Sequence, residues 1–234
     1  MKLTTTTVQI LRKFADINPN IFIEPGNIIR TMKEDKTIFA QYESDEQFDG
    51  NLAIFDLPRF LNAVKLLENP EITFPTDPMD SNITIRGESG GMLRYRMSPR
   101  TLLKVPSKGM GSFAARLEFV LTGETKDAIL SAANALKVDS LSLRNRGTEL
   151  VAKIFAPEDM NGGSRSGVSD FYEFLIGEVD ASDESDEYEY IFKISNLPSF
   201  AGDYNVSIAQ KIISRFTHTN MNLNYWIAVE TKNS

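Results

Sequence analysis

Cysteine is absent from the chain, and histidine occurs once, at position 218. Without cysteine there is no disulfide, no thiolate nucleophile and no thiolate metal site, a composition that fits a reducing compartment. A single histidine excludes a multi-histidine metal cluster or a histidine pair within one chain. No apolar run reaches the roughly 20 residues of a membrane-spanning helix, and the opening MKLTTTTVQILRKF lacks the apolar core of a signal peptide. These absences predict a soluble intracellular protein that makes no membrane contact. Cations are also in short supply: 25 Lys and Arg stand against 32 Asp and Glu, a formal charge of −7. An acidic chain has no broad electrostatic footprint for phosphates. Any contact with nucleic acid must segregate charge, with cations on one surface and carboxylates elsewhere.

What is present suffices for a proper core. With 234 residues, 41% of them hydrophobic and 10% aromatic, the chain is one large domain or two of ordinary size. Its organising stretch is Asn51 to Phe74. Leu52 to Phe55 reads as a buried strand, Asp56 as a helix cap and Pro58 as a first-turn residue, where a missing N–H costs no intrahelical bond. The spacing predicts a helix as far as Asn69, stopped by Pro70, with Leu57, Phe60, Leu61, Val64 and Leu67 on one face. Arg59, Asn62, Lys65 and Asn69 share the opposite face, a stripe that contains no carboxylate. Glu71 to Phe74 returns as a strand.

The remainder of the first half fits around this unit. Thr4 to Asp16 reads as a helix with Val8, Ile10, Leu11, Phe14, Ala15 and Ile17 on its apolar side. Gln9, Arg12, Lys13 and Asp16 lie opposite, with Lys2 and Thr5 upstream on that side. Short runs at Ile21–Ile23, Ile28–Met32 and Thr37–Tyr42 form a meander, and Asn82–Arg86 and Met92–Met97 flank a turn over Gly87–Gly91. Ser98 to Ser112 then breaks the pattern with two prolines, two glycines and no period, as a connector does. Leu102, Leu103, Val105 and Met110 make it apolar for a tether, so it is expected to lie packed on a surface.

The second half repeats the first. A strand at Ala115–Leu121 precedes a helix capped near Thr122 and running to Val138, with Ile129, Ala132, Ala133 and Leu136 on its apolar face. Asp127, Ser131, Asn134 and Lys137 lie opposite, with Lys126 at the margin. Strands are expected at Ser140–Arg144, Glu149–Phe155, Val168–Ile176 and Tyr188–Ile194. Ile21-Phe-Ile, Gly26 and Ile28–Thr31 correspond to Leu141-Ser-Leu, Gly147 and Glu149–Ala152, an offset near 120 residues. Asp56-Leu-Pro-Arg-Phe corresponds to Asn196-Leu-Pro-Ser-Phe at an offset of 140. Loops at Asp159–Gly167 and Asp180–Glu187 absorb the difference. Each half reads helix, meander, short helix, meander. The expected fold is α+β, as two similar domains over 1–98 and 113–234 joined by a connector over 99–112.

Few motifs suggest chemistry. Asn161-Gly-Gly-Ser-Arg-Ser-Gly167 lacks the Gly-Lys-Ser/Thr of a phosphate-binding loop and reads as a hairpin loop. Glu178 to Glu189 carries seven carboxylates without EF-hand spacing, and reads as a solvated loop that repels polyanions. His218, at a strand or hairpin end, has no nucleophile motif such as Gly-x-Ser-x-Gly to serve. No catalytic constellation, metal site or cofactor motif emerges. The cationic helix faces remain: Arg12 and Lys13, Arg59 and Lys65, Lys126 and Lys137.

Met1-Lys-Leu-Thr, Leu11-Arg-Lys-Phe-Ala-Asp-Ile-Asn, Leu52-Ala-Ile-Phe-Asp-Leu-Pro-Arg-Phe-Leu, Gly202-Asp-Tyr and the closing Asn224-Tyr-Trp-Ile-Ala-Val-Glu resemble the sliding clamps of T-even-type bacteriophages. The resemblance runs in order along nearly the whole chain, although it is patchy. It implies a non-enzymatic DNA polymerase processivity factor without cofactors: a homotrimeric ring of six similar domains around duplex DNA, with helices lining the hole and sheets outside. It further implies a replicative polymerase and an ATP-dependent clamp loader as partners, a platform for other replication and transcription factors, and the cytoplasm of an infected bacterium as its location. The DNA-facing residues would be Lys2, Arg12, Lys13, Arg59, Lys65, Lys126, Asn134 and Lys137. The second-domain helix, with Ser131 and Asn134, is less basic than the family tends to be. A pocket for partner tails would be lined by Phe39, Leu102, Leu103, Val105, Trp226 and Ala228. The competing readings are a scaffold of duplicated α+β domains without DNA binding, and a hydrolase built on scattered carboxylates.

Overall fold

A computed structural model describes residues 1–77, 79–156, 170–179, 188–210 and 212–230. The loop expected at Asn161–Gly167 and the acidic stretch over 180–187 fall outside them. The chain divides into two compact units, Met1–Met110 with Asn222–Asn224, and Gly111–Met221 with the residues from Tyr225 onward.

The first unit opens with helix α1 (Thr5–Ile17). Thr4 caps it, its hydroxyl accepting from Thr7 N–H. Strands β1 (Ile21–Ile23), β2 (Gly26–Met32), β3 (Ile38–Phe48) and β4 (Leu52–Ile54) follow, then helix α2 (Leu57–Val64) and strands β5 (Glu71–Thr73), β6 (Asn82–Arg86) and β7 (Met92–Arg96). Strand β1 pairs antiparallel with β4, Phe22 opposite Ala53, and β2 pairs with β3, Met32 opposite Phe39. The last three strands form a sheet in the order β5-β6-β7, and Lys2 bridges Glu71 at its edge. Ile10, Leu11 and Phe14 of α1, with Leu57, Phe60, Leu61 and Val64 of α2, bury the inner faces of the two helices. Each such side chain contributes about 1.5–3 kcal/mol on burial. Phe60 also meets Tyr95 of β7 edge-on, 5.0 Å between ring centres.

Helix α2 is shorter than its periodicity predicts. Beyond Val64 the amides of Leu66 and Leu67 bond three residues back, to Ala63 and Val64, and Asn69 takes a positive φ of 45°. The tertiary cause is the Gly87–Gly91 turn: Glu88 N–H donates to Glu68 O at 2.9 Å. A Cβ at Gly87 would come within 3.2 Å of that carbonyl, tighter than an ordinary contact, so glycine eases the approach.

The second unit repeats the plan: β8 (Ala115–Leu121), α3 (Gly123–Leu136), β9 (Ser140–Arg146), β10 (Glu149–Phe155), β11 (Tyr172–Glu178), β12 (Glu189–Lys193), β13 (Tyr204–Ala209), β14 (Ile213–His218) and β15 (Leu223–Ala228). Its sheets run β11-β10-β9-β12 and β8-β13-β14-β15. The correspondence is topological. Strand β9 pairs with β12 as β1 does with β4, and β8, ahead of its helix, pairs with β13 as Lys2 bridges β5. One expectation fails. Asn196-Leu-Pro-Ser-Phe starts no helix, and a single 3₁₀ turn over Ile194–Asn196 stands in its place. Asp139 supplies the reason, because its carboxylate accepts from the Ser195 amide and hydroxyl, both at 2.7 Å, and its carbonyl from Ile194 N–H. Strand β11 also begins later than expected, at Tyr172. No described helix is long and apolar enough to cross a membrane.

Candidate nucleic-acid interface

In the first unit, burying the apolar side of each helix turns its cationic side outward. Arg12 and Lys13 are half-buried, while Arg59, Asn62 and Lys65 are exposed. The Arg12 guanidinium donates to Asn62 Oδ1 at 3.5 Å, joining the stripes of α1 and α2 into one surface. Lys2 is exposed on its bridge to Glu71. Arg59 reaches towards β7: burial raises the Tyr95 phenol above its ordinary range, and the Arg59 charge works the other way. The amino end of α1 is pinned from β3. The Glu46 carboxylate accepts from Thr4 N–H and, at 2.8 Å, from the Thr7 hydroxyl. Burial pushes the Glu46 carboxyl up, but these hydrogen bonds outweigh it and hold it below the usual range.

Among its described residues the second unit shows no such surface. Lys126, expected on the DNA-facing stripe, is 4% exposed. Its Nζ donates to Phe200 O at 2.6 Å and lies 4.9 Å from the centre of the Tyr204 ring. The ammonium is therefore used inside the unit, by a carbonyl and a π face that recover part of its hydration. Helix α3 leaves Glu124, Asp127, Ser131, Asn134 and Lys137 exposed. Carboxylates outnumber cations among them.

The comparisons with known proteins bear on this duplicated, asymmetrically charged arrangement. Residues 118–231 match the family model described as gp45 sliding clamp, C terminal. The sliding clamp of Vibrio phage KVP40 is 29% identical over 98% of this chain and 99% of its own. That of Escherichia phage RB69 is 23% identical over 98% and 97%. Along nearly its whole length the chain is similar to phage sliding clamps. Solved structures add the fold. PCNA from Thermococcus kodakaraensis superposes with a TM-score of 0.65 over 96% of each chain at 13% identity. A. fulgidus PCNA, solved with the C-terminal region of FEN-1 bound, gives 0.67 over 97% and 96% at 14%.

The expected tail-binding residues divide between the two units. In the first unit Phe39 and Leu103 are buried, at 5% and 6% exposure, Val105 is half-buried, and Leu102 is 61% exposed. In the second, Trp226 is buried at 8% and Ala228 half-buried. Phe39, Leu103 and Trp226 thus offer little free surface, because their own sheets and connector cover them.

The connector is held by residues that pattern reading missed. Asn18 and Asn20 are almost wholly buried. The Asn18 amide donates to Met32 O at 2.9 Å and to Lys104 O at 2.7 Å, and its Oδ1 accepts from Asn20 N–H at 2.8 Å. Asn20 donates to Phe55 O at 2.7 Å and accepts from Lys104 N–H at 3.2 Å. The pair ties the end of α1, strand β2, the start of α2 and the connector to one point. Two cavities of about 300 Å³ and 140 Å³ share Phe22 and Arg100 as lining, with the Arg100 guanidinium 4.6 Å above the Phe22 ring. Neither asparagine stands in a periodic apolar pattern. The Asn-Pro-Asn sequence after a helix was the available signal.

Proposed function

We propose that the chain is a sliding clamp, which encircles duplex DNA as a closed ring of three copies and tethers the replicative polymerase to its template. The observation that carries the reading is the joined cationic surface of α1 and α2 in a chain of net charge −7. A ring retains DNA by topology, so sparse cations suffice, and tight phosphate contacts would oppose sliding. The acidic remainder repels DNA from other surfaces. Because α3 buries Lys126, the first unit supplies most of the attraction in each copy. The clamp has no chemistry of its own. An ATP-dependent loader opens and closes it, and it works in the cytoplasm of an infected bacterium.

Assembly fits two exposed edges. Strand β11 is the outer strand of its sheet and leaves Phe171, Tyr172 and Leu175 about half exposed, while β7 leaves Met92 exposed. Pairing β7 of one copy with β11 of the next would cover both edges. The test is topological. Clamp loaded with its loader and ATP onto nicked circular DNA is expected to remain bound, and to be lost once the DNA is linearised. Equal retention on open-ended DNA would overturn the ring, and a monomeric solution mass would favour a scaffold.

A further inference from the structure

We propose that the 300 Å³ cavity beside Phe22 is a second docking site on the first unit, for a short acidic peptide segment that carries one apolar anchor. The cavity combines an apolar floor with uncompensated positive charge. Phe22, Met97 and Pro99 supply the floor, and Arg96 and Arg100 stand on its wall. Among the described residues neither arginine forms an ion pair, and Arg100 instead stacks on the Phe22 ring. The one carboxylate in the lining, Asp80, is already used: it accepts from the Asn82 amide and side chain at 2.9 and 2.7 Å and lies 3.7 Å from Arg94. The guanidinium groups therefore await an anion from elsewhere.

The wall is preformed. Met97 N–H donates to Ser81 O at 2.7 Å and Ser98 N–H to Ala53 O at 2.9 Å, fixing the start of the connector against β4. A ligand would not have to order it. The volume suits one large side chain with its neighbours. The forked geometry of arginine suits a carboxylate, on a side chain or at a chain terminus. Nucleic acid fits less well, because two cations release few counterions and the rest of the chain is acidic. The site lies within the first unit, its wall drawn from the end of β7 and the start of the connector, and it rests on the proposed ring leaving that end of β7 open.

The probe is a fluorescein-labelled peptide, Asp-Glu-Asp-Glu-Phe-Leu with a free carboxylate, titrated into the full chain by anisotropy. Saturable binding is expected, weakening as salt rises and lost when lysines replace the acids. The double variant Arg96→Gln/Arg100→Gln should bind at least tenfold more weakly with an unchanged melting temperature, and Arg100→Lys should fall between. Equal binding by the double variant or by the lysine peptide would overturn the proposal. So would stronger binding of an oligo-dT probe, or peptide binding restricted to dissociated monomers, which would assign the cavity to a second copy of the chain. If the double variant fails to fold, the lysine peptide and the salt series on the unaltered protein decide.

Discussion

Replacing Asn18 with alanine isolates what holds the connector. The side chain is 6% exposed and makes three hydrogen bonds, two as a donor to Met32 O and Lys104 O and one as an acceptor from Asn20 N–H. Each contributes about 0.5–1.5 kcal/mol net, and unsatisfied buried groups cost more than a made bond returns. Some of the freed groups will find water, so a loss of about 3 kcal/mol is expected for the first unit, a large share of an ordinary domain's 5–15 kcal/mol. A urea titration followed by circular dichroism should show the lower midpoint with little change in slope. Trypsin should cleave faster after Lys104, whose carbonyl and amide are both held by this pair. Asn18→Asp keeps the acceptor, loses both donations and buries a charge, so it should be at least as damaging. The double change with Asn20→Ala should cost less than the sum, since the two side chains share a bond. A loss below about 0.5 kcal/mol for Asn18→Ala would refute the reasoning, because it would mean that water replaces this network at almost no cost.

Three further outcomes are expected. Alanine at Arg12, Lys13, Arg59 and Lys65 together should leave assembly nearly intact, since these groups point away from the core, while loading and processive synthesis fall most steeply at higher salt; equal activity across a salt series would remove them from the DNA-facing surface. Because the Glu46 carboxyl is depressed in the folded state, its contribution is present above the unfolded value of about 4.3 and fades as pH falls through the folded value. Glu46→Gln should therefore lower the urea midpoint at pH 7 and lose that effect as the pH falls through the folded value, and a difference that does not shrink on acidification would refute the assignment. Tyr172→Pro on the β11 edge should shift the solution mass towards monomer with each unit still folded, and an unchanged trimer would mean that another edge is used.

The helix starts were legible because they are local. A Thr4 or Asp56 oxygen reaches an amide three residues on, and nothing distant is needed to predict that bond. The apolar stripes of α1 and α2, and hence the outward face of Arg12, Arg59 and Lys65, follow from the helical period in the same way. The duplication was legible in order and spacing, although one of its clearest echoes, Asn196-Leu-Pro-Ser-Phe, turned out to be no helix once Asp139 captured the residues before it. What only the tertiary structure decided are pairings between residues far apart in the chain. Lys126 looks like a surface cation until the Phe200 carbonyl, 74 residues away, accepts a hydrogen bond from its ammonium and the Tyr204 ring covers it. Helix α2 continues in pattern to Leu67, but the Gly87–Gly91 turn docks on its end and stops it at Val64. Asn18 carries no periodic signal at all, because its partner at Lys104 is 86 residues on. Periodicity records which side of an element faces the core, and the identity of the group waiting there is set by the fold.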